Sequence, residues 1–194
     1  EVDYNKPFDR ISYGDLFERA LGFSMDHEAS VRTKGSELHI DGADSMDQWL
    51  LVSEIFDACV EETIDPTRPT FVTDYPSAIS PLTRPHAEND ALSHRWELFI
   101  CGMEIANSYT ELNDPDLQLQ RFTEQLHGAD DEVQAFRTLD EDFIHALRVG
   151  MPPAGGLGVG IDRLVMLLTS NESIRDVVLF PLMKPQDTTY EEND

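Results

Sequence analysis

The sequence predicts an α+β fold in which an antiparallel sheet is flanked by helices. Segments rich in aromatic and β-branched residues at 69–76 and 94–101 alternate with amphipathic segments of helical period. Gly102 separates the second of these strands from a third over 103–111, as in a β-hairpin. Strands joined by a hairpin, with helices inserted between them, favour an antiparallel sheet over a doubly wound parallel one.

Capping signals predict the first helices. Ser12 caps a short helix that ends near Gly22. Residues 24–45 are polar and lack an apolar period, which predicts an irregular segment. A capping box that begins at Ser45 predicts the next helix, which extends to about residue 62.

Proline and glycine mark the remaining elements. Asp114-Pro115 starts a helix with proline at its first position, and a helix over about 140–149 is stopped by Gly150. The glycine run 156–160 reads as a strand, and a last amphipathic helix begins at Ile161. A chain of 194 residues suffices for one domain, so 1–194 is predicted to be a single domain.

Charge and composition exclude some partners. The net charge is −24, with 38 acidic against 14 basic residues, so broad contact of this segment with nucleic acid is not expected. No apolar stretch is long enough to cross a bilayer, and no membrane partner is expected. Cys59 and Cys101 lie in apolar stretches and are expected to be buried free thiols of a cytoplasmic protein.

Glycine recurs at every second position of the run 156–160. This removes side chains from one face of an extended segment, so that a flat ligand can lie on bare backbone. Arg163 follows in the first turn of the next helix, where a guanidinium can stack on an aromatic ring. The spacing matches neither the dinucleotide-binding fingerprint nor the P-loop. A purely structural interpretation, a glycine-rich turn before a core helix, is also open.

The hairpin turn at Gly102 sets the expected register of two acidic residues. Counted from a tight turn, Glu104 opposes Phe99, and Glu97 opposes Ala106. Glu97 and Glu104 then project from one face as diagonal neighbours, close enough to share one ion.

Glu97 is the one ionisable residue in the apolar run 96–100. A half-buried carboxylate beside a second one is costly unless a cation lies between them, and Mg²⁺ binds carboxylate and phosphate oxygens together. The alternative is that Glu97 pairs with an arginine, Arg95 or Arg163, or faces water.

Asn107, Tyr109 and Glu111 fall at period two and share a face. An amide, an aromatic wall and a negative charge suit a small cationic molecule with an apolar stem. Strict alternation places these residues opposite Glu104, so a β-bulge near Ala106 is required if all five polar residues line one cavity. A solvent-facing strand end with ordinary polar residues is the alternative.

Several stretches together resemble the lysyl-tRNA synthetase family of class II aminoacyl-tRNA synthetases. The similarity covers nearly the whole chain, and the glycine run with its arginine is similar to motif 3 of that class. The resembling stretches are 8–12, 74–76, 79–82, 96–100, 104–115, 151–163 and 174–181.

The resemblance implies a class II catalytic fold and a two-step reaction. Lysine and ATP give lysyl-adenylate, and the lysyl group then passes to tRNA. On the ATP side the resemblance implies that Glu97 and Glu104 hold Mg²⁺ and ATP, that Gly158 and Gly160 floor the site, and that Arg163 stacks on adenine.

The resemblance also implies the lysine-binding residues. Asn107 would contact the lysine carboxylate, Tyr109 would pack on the methylene stem, and Glu111 would take the ε-ammonium. An aspartate-specific relative must offer a cation where Glu111 offers an anion, which agrees with lysine as substrate.

Three parts of the family have no counterpart in residues 1–194. These are motif 1, which forms the homodimer interface, motif 2, which supplies an arginine for the α-phosphate, and the anticodon-binding domain. We therefore expect a partial catalytic domain, inactive in isolation and without an assigned catalytic residue, whose parent enzyme contacts tRNA(Lys) through other parts.

Two other functions fit the same residues. One is a lysyl ligase that modifies a translation factor instead of tRNA. The other is a non-catalytic synthetase-like module that binds lysine or nucleotide.

Overall fold

The computed structural model describes residues 2–127 and 139–181, and the fold is α+β, as predicted. The strands within these residues are β1 (Asp9–Ser12), β2 (Thr70–Thr73), β3 (Arg95–Ile100), β4 (Met103–Thr110) and β5 (Gly155–Val159). The helices there are α1 (Tyr13–Leu21), α2 (Glu28–Glu37), α3 (Gln48–Ile55), α4 (Pro115–His127), α5 (Glu141–Val149) and α6 (Ile161–Thr169). None of these described helices is long and apolar enough to cross a membrane.

The chain divides into two compact units. Glu1–Val159 holds the whole sheet and helices α1 to α5. Gly160–Asp194 holds α6 and a short 3₁₀ turn, Ile174–Asp176.

The sheet has the order β1-β2-β3-β4-β5. The pairings β2–β3, β3–β4 and β4–β5 are antiparallel, as predicted, whereas β1 and β2 pair in parallel. The sheet is therefore mixed. The parallel pair follows from the long connection between β1 and β2, which contains α1, α2 and α3 and can act as a crossover.

The main core combines helical side chains with sheet residues Val72 and Phe99. Tyr13 stacks on Phe56 with ring centroids 4.0 Å apart and lies 4.9 Å from the ring of Tyr75. The sheet face that carries Val72 and Phe99 is thus packed against α1 and the end of α3, which gives the polar residues of that face a firm support.

Helix α1 matches its prediction at both ends. Ser12 Oγ accepts a hydrogen bond from the Asp15 amide at 3.0 Å, and Gly22 ends the helix with a φ of 78°. The prediction of an irregular 24–45 segment is wrong, because α2 forms within it. Helix α2 is polar, but it buries Val31 and Gly35, so tertiary packing rather than amphipathic period forms it.

Helix α3 begins two residues later than the predicted capping box. Asp47 is the cap, and its Oδ1 accepts from the amides of Trp49 and Leu50 at 2.9 and 3.3 Å. The α-helix ends at Ile55 and continues as a π-helical turn over Phe56–Val60. The predicted helix to about residue 62 is therefore helical throughout most of its length but not uniformly α.

Both cysteines are free, as expected. Cys59 is half-buried in the π-helical turn, whereas Cys101 is exposed in the β3–β4 turn. The expectation of burial is wrong for Cys101, because the residue lies at a hairpin turn with φ of 55° and not within a strand.

Gly35 packs α2 closely against α3. A methyl group at this position would lie 2.8 Å from Leu51 Cδ1 and 3.2 Å from Ala43 Cβ. We expect Gly35→Ala to destabilise the protein by about 1–3 kcal/mol through overpacking, as measured by urea denaturation. Gly14→Ala in α1 is the matched control, since its methyl would meet only the flexible end of Met25 at 3.3 Å. It should be neutral or stabilising by up to about 1 kcal/mol; equal effects of both changes would contradict the packing argument.

Candidate functional site

The hairpin formed by β3 and β4 carries one extra residue on β4. Its pairs, from the turn outward, are Ile100–Met103, Phe99–Glu104, Leu98–Ala106 and Glu97–Asn107. The first two pairs match the predicted register, but the prediction that Glu97 opposes Ala106 is wrong by one position. Ile105 is the inserted residue, and both it and Ala106 are buried. Strict alternation cannot bury two consecutive residues on one face, and the bulge resolves this.

The bulge places the polar residues of the hairpin on one face of the sheet. Glu97 opposes Asn107, Arg95 opposes Tyr109, and Glu104 opposes Phe99. Paired residues project to the same side, so the amide and the aromatic ring of β4 share the face of both glutamates. The β-bulge that the sequence required near Ala106 is therefore present.

Strand β5 presents bare backbone beside this face. Gly158 pairs with Asn107, and Gly156 pairs with Tyr109. Leu157, between them, points to the opposite face. The structure thus brings Gly158 next to the hairpin residues.

Gly160 and Arg163 belong to the second unit of the chain. Gly160 is the N-cap of α6, and its carbonyl accepts from the Leu164 amide at 2.8 Å. Arg163 lies in the first turn of that helix, as predicted.

Glu111 follows β4 directly and lies against Gly156. The Glu111 amide donates to the Ala154 carbonyl at 3.0 Å, which holds the residue beside the start of β5. A methyl group at Gly156 would overlap Glu111 Oε1 and lie 3.3 Å from its Cδ. The sequence predicts Gly156 as part of the glycine run but gives no signal for its close approach to Glu111.

Glu97 is held by two donors. Tyr75 Oη donates to Glu97 Oε2 at 2.7 Å, and Arg95 Nη2 donates to Glu97 Oε1 at 2.5 Å. The Arg95 and Glu97 side chains are 20% and 13% exposed. The interpretation in which Glu97 pairs with Arg95 is therefore the one observed, and it coexists with the proximity of Glu104.

Burial and the neighbouring positive charge have opposite effects on the pKa of the Glu97 carboxyl. Burial raises the pKa of this carboxyl, Arg95 and the Tyr75 hydrogen bond lower it, and the nearby Glu104 raises it further. Burial and the neighbouring Glu97 raise the pKa of Tyr75 as well, so its hydroxyl stays protonated and keeps donating.

The donor set of this face suits a magnesium ion that is shared with a phosphate ligand. Within residues 2–127 and 139–181, no group of three or more His, Cys, Asp or Glu side chains could hold a metal. Two carboxylates, Glu97 and Glu104, lie on one face, and Mg²⁺ is commonly bound by one or two carboxylates together with substrate phosphates. The residues therefore fit a substrate-dependent ion better than an independent metal site.

A cavity of about 290 Å³ opens at the ends of β3, β4 and β5. Trp96, Ser108, Thr110 and Gly155 are among the residues that line it, whereas Glu97, Asn107 and Glu111 are not. The paired residues Trp96 and Ser108 lie on the sheet face opposite Glu97 and Asn107, so this cavity is separate from the polar face described above.

Comparison with known proteins identifies relatives of the whole chain. The family model described as tRNA synthetases class II (D, K and N) matches residues 1–184. The lysine–tRNA ligase of Campylobacter jejuni subsp. doylei is 43% identical over all of this chain, which covers 39% of that protein. Those of Parasynechococcus marenigrum and Carboxydothermus hydrogenoformans are 49% and 46% identical over 96% of the chain, which covers 38% of each.

The close approach of Gly156 to Glu111 predicts the effect of one methyl group. Gly156→Ala should displace the Glu111 carboxylate and weaken binding of a primary ammonium ligand, with L-lysine as the probe, by at least about tenfold, the scale of one charged hydrogen bond. The melting temperature should hardly change, because the displaced atoms end a flexible side chain. Gly155→Ala is the matched control, since its methyl would lie 3.9 Å from the Tyr109 carbonyl oxygen. Equal lysine affinities of the two variants in calorimetry would refute the role of Gly156.

Proposed function

Because the chain belongs to the class II tRNA synthetases (D, K and N), we propose that it forms the lysine site and part of the ATP site of a lysine–tRNA ligase. In this reaction ATP activates lysine to lysyl-adenylate, and the lysyl group passes to tRNA. The observation that carries the proposal is the carboxylate of Glu111 set against the bare backbone of Gly156.

The negative charge of Glu111 favours one of the three substrates of the family. Aspartate carries a negative side chain, asparagine a neutral one and lysine a positive one. An anion held beside β5 attracts an ammonium and repels a carboxylate. In a water-poor site, like charges placed together cost several kcal/mol. Glu111 therefore supports lysine, in agreement with the names of the relatives.

The other lysine contacts follow along β4. Tyr109 offers its ring to the methylene stem, which gains from burial of apolar surface. Asn107, two residues earlier on the same face, offers an amide to the α-carboxylate. The spacing along the strand, about 3.4 Å per residue, separates Asn107 from Glu111 by a distance suited to an extended lysine.

We assign ATP binding to the part of the β3–β4 face that carries Glu97 and Glu104. Glu97 and Glu104 would hold Mg²⁺ on the ATP phosphates, where the ion neutralises negative charge. Tyr75 and Arg95 keep the Glu97 carboxylate in place. Gly158 would leave room for the nucleotide on this face. For Gly160 and Arg163, which belong to the second compact unit, the roles of flooring the site and stacking on adenine rest on the family resemblance alone.

The chain spans 38–39% of the length of the relatives, so the complete reaction is proposed for a longer polypeptide. We propose that residues 1–194 form a partial class II catalytic domain and that the α-phosphate arginine and the anticodon contacts come from other parts. A net charge of −24 agrees with tRNA contact elsewhere. The parent enzyme would be a cytoplasmic homodimer, as the family resemblance implies.

Lysine-dependent ATP–pyrophosphate exchange tests the proposed reaction in the full-length polypeptide. Glu111→Gln should raise the KM for lysine by at least about 30-fold, the effect of removing one partner of a desolvated charge pair. Glu124→Gln on the exposed face of α4 is the matched control and should leave the KM unchanged. Absence of lysine-dependent exchange by the wild-type polypeptide would overturn the proposed function.

The 194-residue chain alone should show no lysine-dependent exchange. Loss of a single preorganised donor to a charged transition state lowers the rate by about 10²–10³-fold, and the isolated chain would lack the arginine of motif 2. The same exchange assay on the purified 194-residue polypeptide checks this. Robust exchange would contradict the assignment as a partial catalytic domain.

A further inference from the structure

The guanidinium of Arg95 contacts both Glu97, which we assign to the ATP part of the site, and Asn107, which we assign to the lysine part. Its Nη2 donates to Glu97 Oε1 at 2.5 Å, and its Nε donates to Asn107 Oδ1 at 3.4 Å. We propose that Arg95 is a positioning residue that turns the Asn107 amide so that Nδ2 faces the ligand and recognises a carboxylate. This inference rests on the proposed function, because it explains how the α-carboxylate of lysine is selected.

The orientation of Asn107 follows from hydrogen-bond chemistry. A guanidinium has five N–H donors and no acceptor, so the atom of an asparagine amide that faces it must be the carbonyl oxygen. With Oδ1 turned toward Arg95, the two N–H groups of Nδ2 point away from it. Within residues 2–127 and 139–181, no protein atom accepts a hydrogen bond from Asn107 Nδ2. The free donors suit an anionic acceptor and not a cation.

The same molecule contains a second pair of this kind. Arg84 donates to Asn113 Oδ1, and Asn113 Nδ2 donates to the Met151 carbonyl at 3.0 Å. The Nδ2 group of Asn113 therefore has an acceptor within the protein. In the Arg95–Asn107 pair the arginine likewise donates to the amide oxygen, but Asn107 Nδ2 remains available to a ligand.

Arg95 is itself fixed on several sides. Its Nη1 donates to Ser80 Oγ at 3.1 Å, and its guanidinium carbon lies 4.5 Å from the ring centroid of Tyr75. Together with the ion pair to Glu97, these contacts leave the guanidinium little rotational freedom. The amide is therefore oriented before ligand binds, which avoids an ordering cost on binding.

One comparison of ligands isolates this role. L-lysine and 1,5-diaminopentane share the ammonium and the methylene stem, but the second lacks the carboxylate. Their affinities would be measured by calorimetry on the full-length polypeptide, without Mg²⁺ and ATP. Arg95→Met should weaken lysine binding by about 10- to 100-fold, the range for hydrogen bonds to charged groups, and should not weaken diaminopentane binding, because the ammonium groups lose a neighbouring positive charge.

Two further variants guard against a trivial loss of structure. Arg95→Lys keeps a positive charge beside Glu97, but an ammonium lacks the fork that reaches Glu97 and Asn107 together. It should fold normally and show the same selective loss of lysine affinity. Arg84→Met, in the other arginine–asparagine pair, should preserve the preference for lysine over diaminopentane.

The outcomes separate the two proposals. A wild-type protein that binds neither ligand overturns the proposed function and this inference with it. A wild-type preference for lysine that persists in Arg95→Met and Arg95→Lys leaves the proposed function intact and overturns the role of Arg95. Equal loss of both ligands in Arg95→Lys also overturns it, because orientation of Asn107 affects only the ligand with a carboxylate.

Discussion

The extra residue in β4 is the constraint on which the polar face depends. Without the bulge at Ile105, the pairing that begins at the Gly102 turn would place Asn107 and Tyr109 on the face opposite Glu97. Burial of two consecutive residues, Ile105 and Ala106, stabilises the shifted register through apolar contacts. A packing requirement of the sheet thereby determines which polar groups can meet one ligand.

The sequence predicted elements with strong local signals and missed those that depend on tertiary contacts. The cap at Ser12 and the turn at Gly102 are encoded within a few residues, and both were predicted. Helix α2 was missed, because it lacks an apolar period and its buried contacts, such as Gly35 against the distant Leu51, are tertiary. Asp47, and not the predicted Ser45, caps α3. Two acceptable caps two residues apart cannot be ranked from sequence.

The site shows the same division. Period two predicted that Asn107, Tyr109 and Glu111 share a face, and a bulge was recognised as a requirement without a means to locate it. The sequence alone does not distinguish Arg95, Arg163 and water as partners of Glu97. Residues i and i+2 of a strand share a face, but neighbouring side chains set their rotamers. Tyr75, two residues after β2, donates to the second carboxylate oxygen of Glu97 and so fixes the orientation of that side chain.

The half-buried Arg95–Glu97 pair is better explained by orientation than by stability. Transfer of both charges from water costs several kcal/mol per ion, and their attraction often only offsets this cost. Apolar side chains would serve the sheet equally well, as Val72 and Phe99 do on the same face. An apolar residue cannot, however, hold a carboxylate and an amide oxygen at once. The geometry of Arg95 therefore matters more than its contribution to stability. Its guanidinium joins Glu97, which we propose to hold the metal, with Asn107, which we propose to bind the amino acid.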